Sequence, residues 1–471
     1  MATERHINDL PSEMVGRILD YLSFGERKVA ALVCQRWNEE VFSTCFLDRV
    51  LFRVFPDQSA VVCKSVRIYR HMQFCKMIRR DWSAILSVLD KFGPQLYSLH
   101  VNFYTTPQLW ELYRRTQHLK QLTLEVSCKE LIFEEEFLPR WDDVEEFTLN
   151  YNTSDEMGIE FQFLTPNISR LTMEWRSESF LGESLDVLQR YARKLTYLDL
   201  GEIKPGYDEL DEDSLQQFFS VATELQTALI RFQISPQIFK TIAKSCKHLR
   251  MLFFCTDLLK TSDLSVLDEL TELKVLRIRS KELLQIAKVS HKPLPNVDTL
   301  CLQLDHNPSI SAIEYLGKRL PNIHTLKVMI GSSRFSMGVD VLNQICYSFR
   351  RLKTLTVNDR SYLNPLPMEG FNQLRHLHRL EELNLTNVEL SISKLPTTNI
   401  RRLRLNRCKF ETNQWANLAK VMPCLQYLGF RESGFVKGHL SAAALALPNC
   451  TVEMCDYYLY RKVMRIFFLE I

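Results

Sequence analysis

The residues of this chain best equipped for chemistry are cations set out in series. Arg277, Arg279, Lys327, Arg402, Arg404 and Arg431 fall at related places in successive copies of a short apolar motif. Guanidinium forks pair bidentately with carboxylates and phosphates, so this series suits an acidic or phosphorylated polypeptide segment. Beside it stand Met251, Phe253, Cys255 and Val275, apolar where solvent would be expected, whereas earlier copies offer Glu125, Glu146, Glu174 and Asp199. The same charges also fit a solvated sheet surface whose ions pair across neighbouring strands. Groupings that would support catalysis are missing from the text. It contains no GxGxxG, no GxxxxGK[ST], no HExxH and no CxxC, and His376-x-His378 lies between arginines with no carboxylate beside it. No nucleophile–base pair stands out. The reading is a non-enzymatic binding protein that calls for no metal and no cofactor.

These residues are positioned by a repeat of the form apolar-x-x-apolar-x-apolar. Clear copies include Leu96-Tyr-Ser-Leu99-His-Val101, Leu195-Thr-Tyr-Leu198-Asp-Leu200, Leu273-Lys-Val-Leu276-Arg-Ile278 and Leu425-Gln-Tyr-Leu428-Gly-Phe430. A blurred copy lies near Leu225, and a weaker one, Tyr69-Arg-His-Met72-Gln-Phe74, opens the series. The central apolar residues recur at a spacing of about 25. Two apolar residues two apart share one face of a strand, and the residue three earlier closes the turn beneath them. Between strands, stretches such as Leu185–Ala192 and Trp415–Val421 have helical apolar spacing. Pro-Asn or Pro-Cys pairs, as in Leu294-Pro-Asn-Val297 and Met422-Pro-Cys-Leu425, stop each helix ahead of the next strand. A unit of this size buries its inner face only by stacking on its neighbours. This part resembles the leucine-rich-repeat proteins. That resemblance implies an α/β solenoid, a horseshoe with a parallel sheet inside and helices outside, which binds partners on its concave sheet.

The first forty residues follow another pattern. Apolar residues at 14, 15, 18, 19 and 22 line one face of a helix, with Asp9 or Ser12 as cap and Pro11 in the first turn. A second helical stretch, Glu26–Cys34, leads to Gln-Arg-Trp37. The string Leu10-Pro11-x-Glu13-Met14-x-x-x-Ile18-x-x-Tyr21-Leu22, followed by Ala30-x-Leu32-Val33-Cys34-x-x-Trp37, resembles the F-box. The resemblance implies a small all-α module of three helices that docks on the adaptor subunit of SCF ubiquitin ligases, and through it reaches the cullin and RING subunits. It assigns docking to Leu10, Pro11, Met14, Ile18, Leu22 and Val33, with Trp37 wedged beneath them. Packing of these residues on the first repeat is the competing reading. Gly16 departs from good helix chemistry, at a cost of about 1 kcal/mol against alanine.

Composition agrees with these readings. The 471 residues carry a net charge of +3, which gives no global pull toward nucleic acid or membrane. The charged N-terminus lacks the apolar run of a signal peptide, and no apolar stretch approaches the ~18 residues of a membrane span. Thirteen cysteines, scattered and without CxxC spacing, read as reduced thiols of a cytoplasmic or nuclear protein. The expected organisation is an F-box over 1–46, a connector over 47–65, and an array of about 14–15 repeats over 66–471 with a C-terminal cap. The expected function is substrate recognition for an SCF-type ligase, with the protein substrate on the concave face. The alternative is a repeat scaffold or nucleic-acid-binding protein without a ligase role.

Overall fold

The computed structural model describes residues 7–22, 24–126, 139–151, 165–174, 189, 191–201, 212–260, 265–285, 292–304, 308–330, 339–359, 368–390, 392, 395–410, 415–431 and 437–454. The chain divides into two compact units, Met1–Val187 and Leu188–Ile471.

The first unit begins with four short helices, α1 (Ser12–Asp20), α2 (Phe24–Ala30), α3 (Gln35–Val41) and α4 (Thr44–Leu47). Val15, Leu19, Ala30, Ala31, Trp37, Val41 and Phe46 form their common core. Six strands follow: β1 (Leu51–Val54), β2 (His71–Phe74), β3 (Ser98–Phe103), β4 (Gln121–Val126), β5 (Glu146–Tyr151) and β6 (Arg170–Glu174). They pair in parallel and in chain order, so Met72, Leu99, Leu122, Phe147 and Leu171 stand in one line. Along β3 and β4 buried and half-buried residues alternate, as period two requires of a sheet with one covered face. β1 lies within the segment expected to be a connector. Ladder hydrogen bonds to β2 make it the first strand of the array, although Leu51-Phe-Arg-Val54 carries little of the motif.

The second unit holds β7 (Tyr197–Leu200), β8 (Thr227–Gln233), β9 (Met251–Lys260), β10 (Val275–Gln285), β11 (Thr299–Leu304), β12 (Thr325–Ile330), β13 (Thr354–Asp359), β14 (Glu382–Thr386), β15 (Glu389–Leu390), β16 (Arg402–Asn406), β17 (Lys409–Phe410), β18 (Tyr427–Arg431) and β19 (Thr451–Met454). These strands also pair in parallel, β15 with β17 as a separate two-residue pair, and Leu252, Leu276, Leu300, Leu326, Leu355, Leu383, Leu403 and Leu428 share one register line. The blurred copy resolves here. Ala228 stands opposite Leu252, so an alanine fills the central leucine position while Ile230 keeps the next one buried.

Helices lie between the strands, and aromatic rings join them to the sheet: Phe239 of Pro236–Ser245 meets Phe254 at 4.7 Å, and Trp415 of Trp415–Val421 meets Phe430 at 5.6 Å. Some connections take 3-10 helix instead, at Ser265–Glu269 and Met368–His376. The Pro-Asn turns do more than end helices. The amide of Asn296 donates to Thr271 O at 2.6 Å, that of Asn322 to Pro295 O at 2.8 Å and that of Asn167 to Asp142 O at 3.0 Å, each bonding back to the preceding turn. The parallel repeat architecture and the N-terminal helical module are thus as the sequence indicates. The helix expected over 185–192 and the expected cap beyond residue 454 fall largely outside the described residues. Among those residues, no helix is long and apolar enough to cross a membrane.

Candidate functional site: two partner-binding surfaces

In the first unit the helical module carries a set of apolar side chains that its own core does not cover. Helix α1 starts at Pro11, whose carbonyl accepts from Met14 N and Val15 N. Its helical spacing turns Val15 and Leu19 inward and leaves Met14 exposed, with Ile18 half-buried. Val29, Leu32 and Val33, at and just beyond the end of α2, are exposed as well, and so are Pro11 and Tyr21. Tyr21 is 91% and Leu32 84% exposed, unusual for large apolar residues of one small module.

The seven residues expected at this surface therefore separate into two groups. Pro11, Met14 and Val33 are open to solvent, and Ile18 lies half-buried at the edge. Leu10 and Leu22 pack against the module core, and Trp37 belongs to the core itself, 8% exposed. Trp37 is thus a support for the surface and no direct contact, because α3 turns its ring toward Val15 and Leu19. Sequence reasoning missed Tyr21, Val29 and Leu32 as surface residues. A short amphipathic pattern marks apolar positions without saying which ones a core of a few short helices can cover. A Cβ at Gly16 would come 3.3 Å from Glu40 Oε1 of α3, a contact that a small shift of the flexible Glu40 side chain relieves.

The module is tied to the repeats of its own unit by charge and ring contacts. The Arg67 guanidinium lies 3.4 Å from the Phe42 ring centroid, and Arg70 Nη1 pairs with Asp48 Oδ2 at 3.4 Å. Beyond these, the sheet face of the unit is polar. His100 and Glu125 are joined at 2.6 Å, and Gln73 Nε2 meets the other ring nitrogen of His100 at 3.1 Å. The hydrogen bond from His100 holds the Glu125 carboxyl below its usual range, against the opposing effect of burial.

The second unit carries the cation series. Register places Phe253, Arg277, Cys301, Lys327, Thr356, Asn384, Arg404 and Gly429 in one row across eight strands. Arg402 shares a row with Met251 and Val275, and Arg431 one with Cys255 and Arg279. The cations thus fall into two groups three strands apart, roughly 14 Å at ordinary strand spacing. Arg277, Arg279 and Lys327 form one, and Arg402, Arg404 and Arg431 the other.

Phe253 does not present an open apolar surface. It is 3% exposed, in a cluster with Tyr197, Leu229 and Cys255 against which Met251 packs, and the Arg277 guanidinium covers its ring at 4.4 Å. This corrects its expected place as a substrate contact. Contacts within its own sheet face bury it, and alternation alone does not foresee them. Asp199 is likewise buried, 2% exposed, and pairs with Arg231 at 2.5 Å. Burial lowers the proton affinity of Arg277 and of Lys327, and the positive charge of Arg277 adds to the effect on Lys327. Arg404 pairs with Glu382 at 2.9 Å and lies 5.6 Å from the Tyr427 ring, whereas Arg402 is exposed. Val275, Arg279 and Arg431 are half-buried. His376 ends the Met368–His376 helix, and no group of His, Cys, Asp or Glu among the described residues is placed to hold a metal ion.

Comparison with known families bears on the first surface. The family model described as F-box-like matches residues 7–53. No curated protein matches the chain in sequence. Among solved structures, the chain is similar to one in the crystal structure of the Rad7 and Elc1 complex in yeast, at 12% identity over 94% of this chain and 91% of that one, with a TM-score of 0.41. It is similar to the leucine-rich-repeat protein LIC12759 of Leptospira interrogans, at 15% identity over 86% of this chain and all 100% of that one, TM-score 0.37. A third is the leucine-rich-repeat protein LegL7 from Legionella pneumophila, at 14% identity over 54% and 89%, TM-score 0.34. Residues 7–53 thus match an F-box-like domain, and the strands that follow repeat in parallel register.

Proposed function

We propose that this protein is the substrate-recognition subunit of an SCF-type cullin–RING ubiquitin ligase. Its F-box-like domain docks the ligase adaptor subunit, and the sheet face of its second unit holds the protein to be modified. The observation that carries the reading is the set of uncovered apolar side chains, Met14, Tyr21, Val29, Leu32 and Val33, on a domain whose sequence matches the F-box-like model. A folded module with its own core and such a surface fits a protein interface better than solvent. The chain itself performs no catalysis in this account; ubiquitin transfer belongs to the assembled complex.

The cargo is an acidic or phosphorylated segment seated along Arg277, Arg279, Lys327, Arg402, Arg404 and Arg431, with Met251 and Val275 beside it. Work in a reducing compartment, cytoplasm or nucleus, accords with eleven free thiols among the described residues. Burial pushes three of these thiols, Cys246, Cys346 and Cys408, up to about 12.

Affinity purification of the full chain, with depletion in parallel, tests the proposal. Adaptor and cullin should co-purify with it, and the captured cargo should accumulate on depletion. Arg402→Glu with Arg404→Glu should lose the cargo and keep the adaptor. Stable cargo levels on depletion would make the protein a scaffold, and undiminished cargo capture by the charge-reversed protein would remove the basic face from the account.

A further inference from the structure

Helix α1 carries the docking side chains, yet little in its own sequence holds it as a helix. It has nine residues, below the length at which isolated helices persist in water. Pro11 at its N-cap makes no side-chain capping bond, and Gly16 sits at its centre. The structure supplies what the helix lacks from elsewhere in the domain. At the N-terminal end, Arg36 of α3 donates through Nη2 to Leu10 O, fixing the backbone that leads into Pro11. At the C-terminal end, Arg27 of α2 donates through Nε to both Leu19 O and Leu22 O, each at 2.9 Å. Leu19 O lies in the last turn of α1, where it also accepts from Leu22 N at 3.1 Å, and Leu22 O lies two residues past the helix end. A cation here meets the negative end of the helix dipole. The Arg27 guanidinium also lies 4.7 Å from the Phe46 ring, whose other cationic neighbour, Arg49 at 5.8 Å, pairs with Asp20 at 2.8 Å.

We infer that Arg27 and Arg36 are positioning residues of the adaptor interface: they clamp the two ends of α1 and so preset the spacing of Pro11, Met14, Ile18 and Tyr21 before the adaptor arrives. The inference rests on the docking reading above and adds to it two residues that act through backbone carbonyls and not as apolar contacts. Each clamp is a hydrogen bond from a charged donor, stronger than a neutral one, and it orders the helix in advance, so binding need not. Losing one should weaken adaptor binding roughly tenfold or more, at the usual worth of charged hydrogen bonds.

The test uses the full chain and the purified adaptor subunit of the SCF ligase, with Arg36→Met and Arg27→Met, which keep an apolar stem and remove the donors. Arg36→Lys and Arg27→Lys serve as conservative variants. Adaptor affinity is read by titration, and amide exchange in the free protein is read over residues 13–22 and, separately, over α3. The expected result is an affinity loss of about tenfold or more, faster exchange confined to 13–22, and partial recovery of both with lysine. Weaker binding with unchanged exchange over 13–22 would mean that the arginines touch the adaptor directly, and would overturn the positioning role. Native affinity in the methionine variants would overturn it too. Should a methionine variant lose protection in α3 as well, the lysine variant decides: native exchange in α3 with no recovery of α1 contradicts the clamp. Failure of the native chain to bind the adaptor at all would instead sink the docking reading.

Discussion

Phe253 occupies a place that strand alternation gives to solvent, yet it is buried with Tyr197, Leu229 and Cys255 beneath the Arg277 guanidinium. Its side chain should therefore behave as core. Phe253→Ala should lower unfolding free energy by about 3–5 kcal/mol, the usual cost of emptying a buried aromatic site. Denaturant titration measures this, and a loss within the ~0.5 kcal/mol of surface substitutions would contradict the assignment. At this scale the sequence was legible where one rule decides the outcome. Leu99, Leu122, Leu198 and Leu276 are buried because register and period two allow them no other face. It was illegible where a neighbour on another strand or helix decides. Phe253 is covered through β7, β8 and β10, and Leu32 stands exposed just past the end of α2. Trp37, by contrast, was expected beneath the surface from the resemblance to the F-box, and it lies in the module core.

Elements in this protein are spaced by backbone contacts as much as by apolar packing. Gly317, in the helix Ile310–Arg319, faces Ser348 at the end of the next helix, Val339–Ser348. A Cβ there would fall 2.5 Å from Ser348 Cβ and 3.0 Å from Ser348 O. Gly317→Ala, a gain for an isolated helix, should here cost about 1–3 kcal/mol through forced separation. Thermal unfolding checks the sign; an alanine variant of raised stability would show that the two helices part freely. Element positions were readable from periodicity because each central leucine had to meet the next in register. The reading weakened where one residue broke the pattern: alanine at 228 blurred β8, and β1 escaped because Leu51–Val54 shows only its later apolar positions. The Pro-Asn turns were seen as helix stops, but the bond from Asn296 or Asn322 to the preceding turn depends on a neighbour about 25 residues away.

At the scale of the molecule, the two units differ in surface chemistry. The N-terminal module leaves apolar side chains uncovered, and the second unit carries two groups of cations on a sheet face. The solenoid stabilises itself repeat by repeat, so residues on its open face are free to vary with the partner. That freedom explains why the repeats were plain in the sequence while the cargo was not: stacking constrains the buried positions, and only the partner constrains the exposed ones. The docking half of the account can be put to a direct test, because its contacts are exposed and can be changed without unfolding the domain. Titrate the purified SCF adaptor subunit into the full chain, native and with Val29→Asp plus Leu32→Asp, and follow thermal unfolding of both proteins alongside. The account predicts saturable one-to-one binding by the native chain, weakened by at least about a hundredfold in the variant, or ~2.7 kcal/mol, with unfolding temperatures that match. Equal binding by both proteins, or none by the native chain, would contradict it.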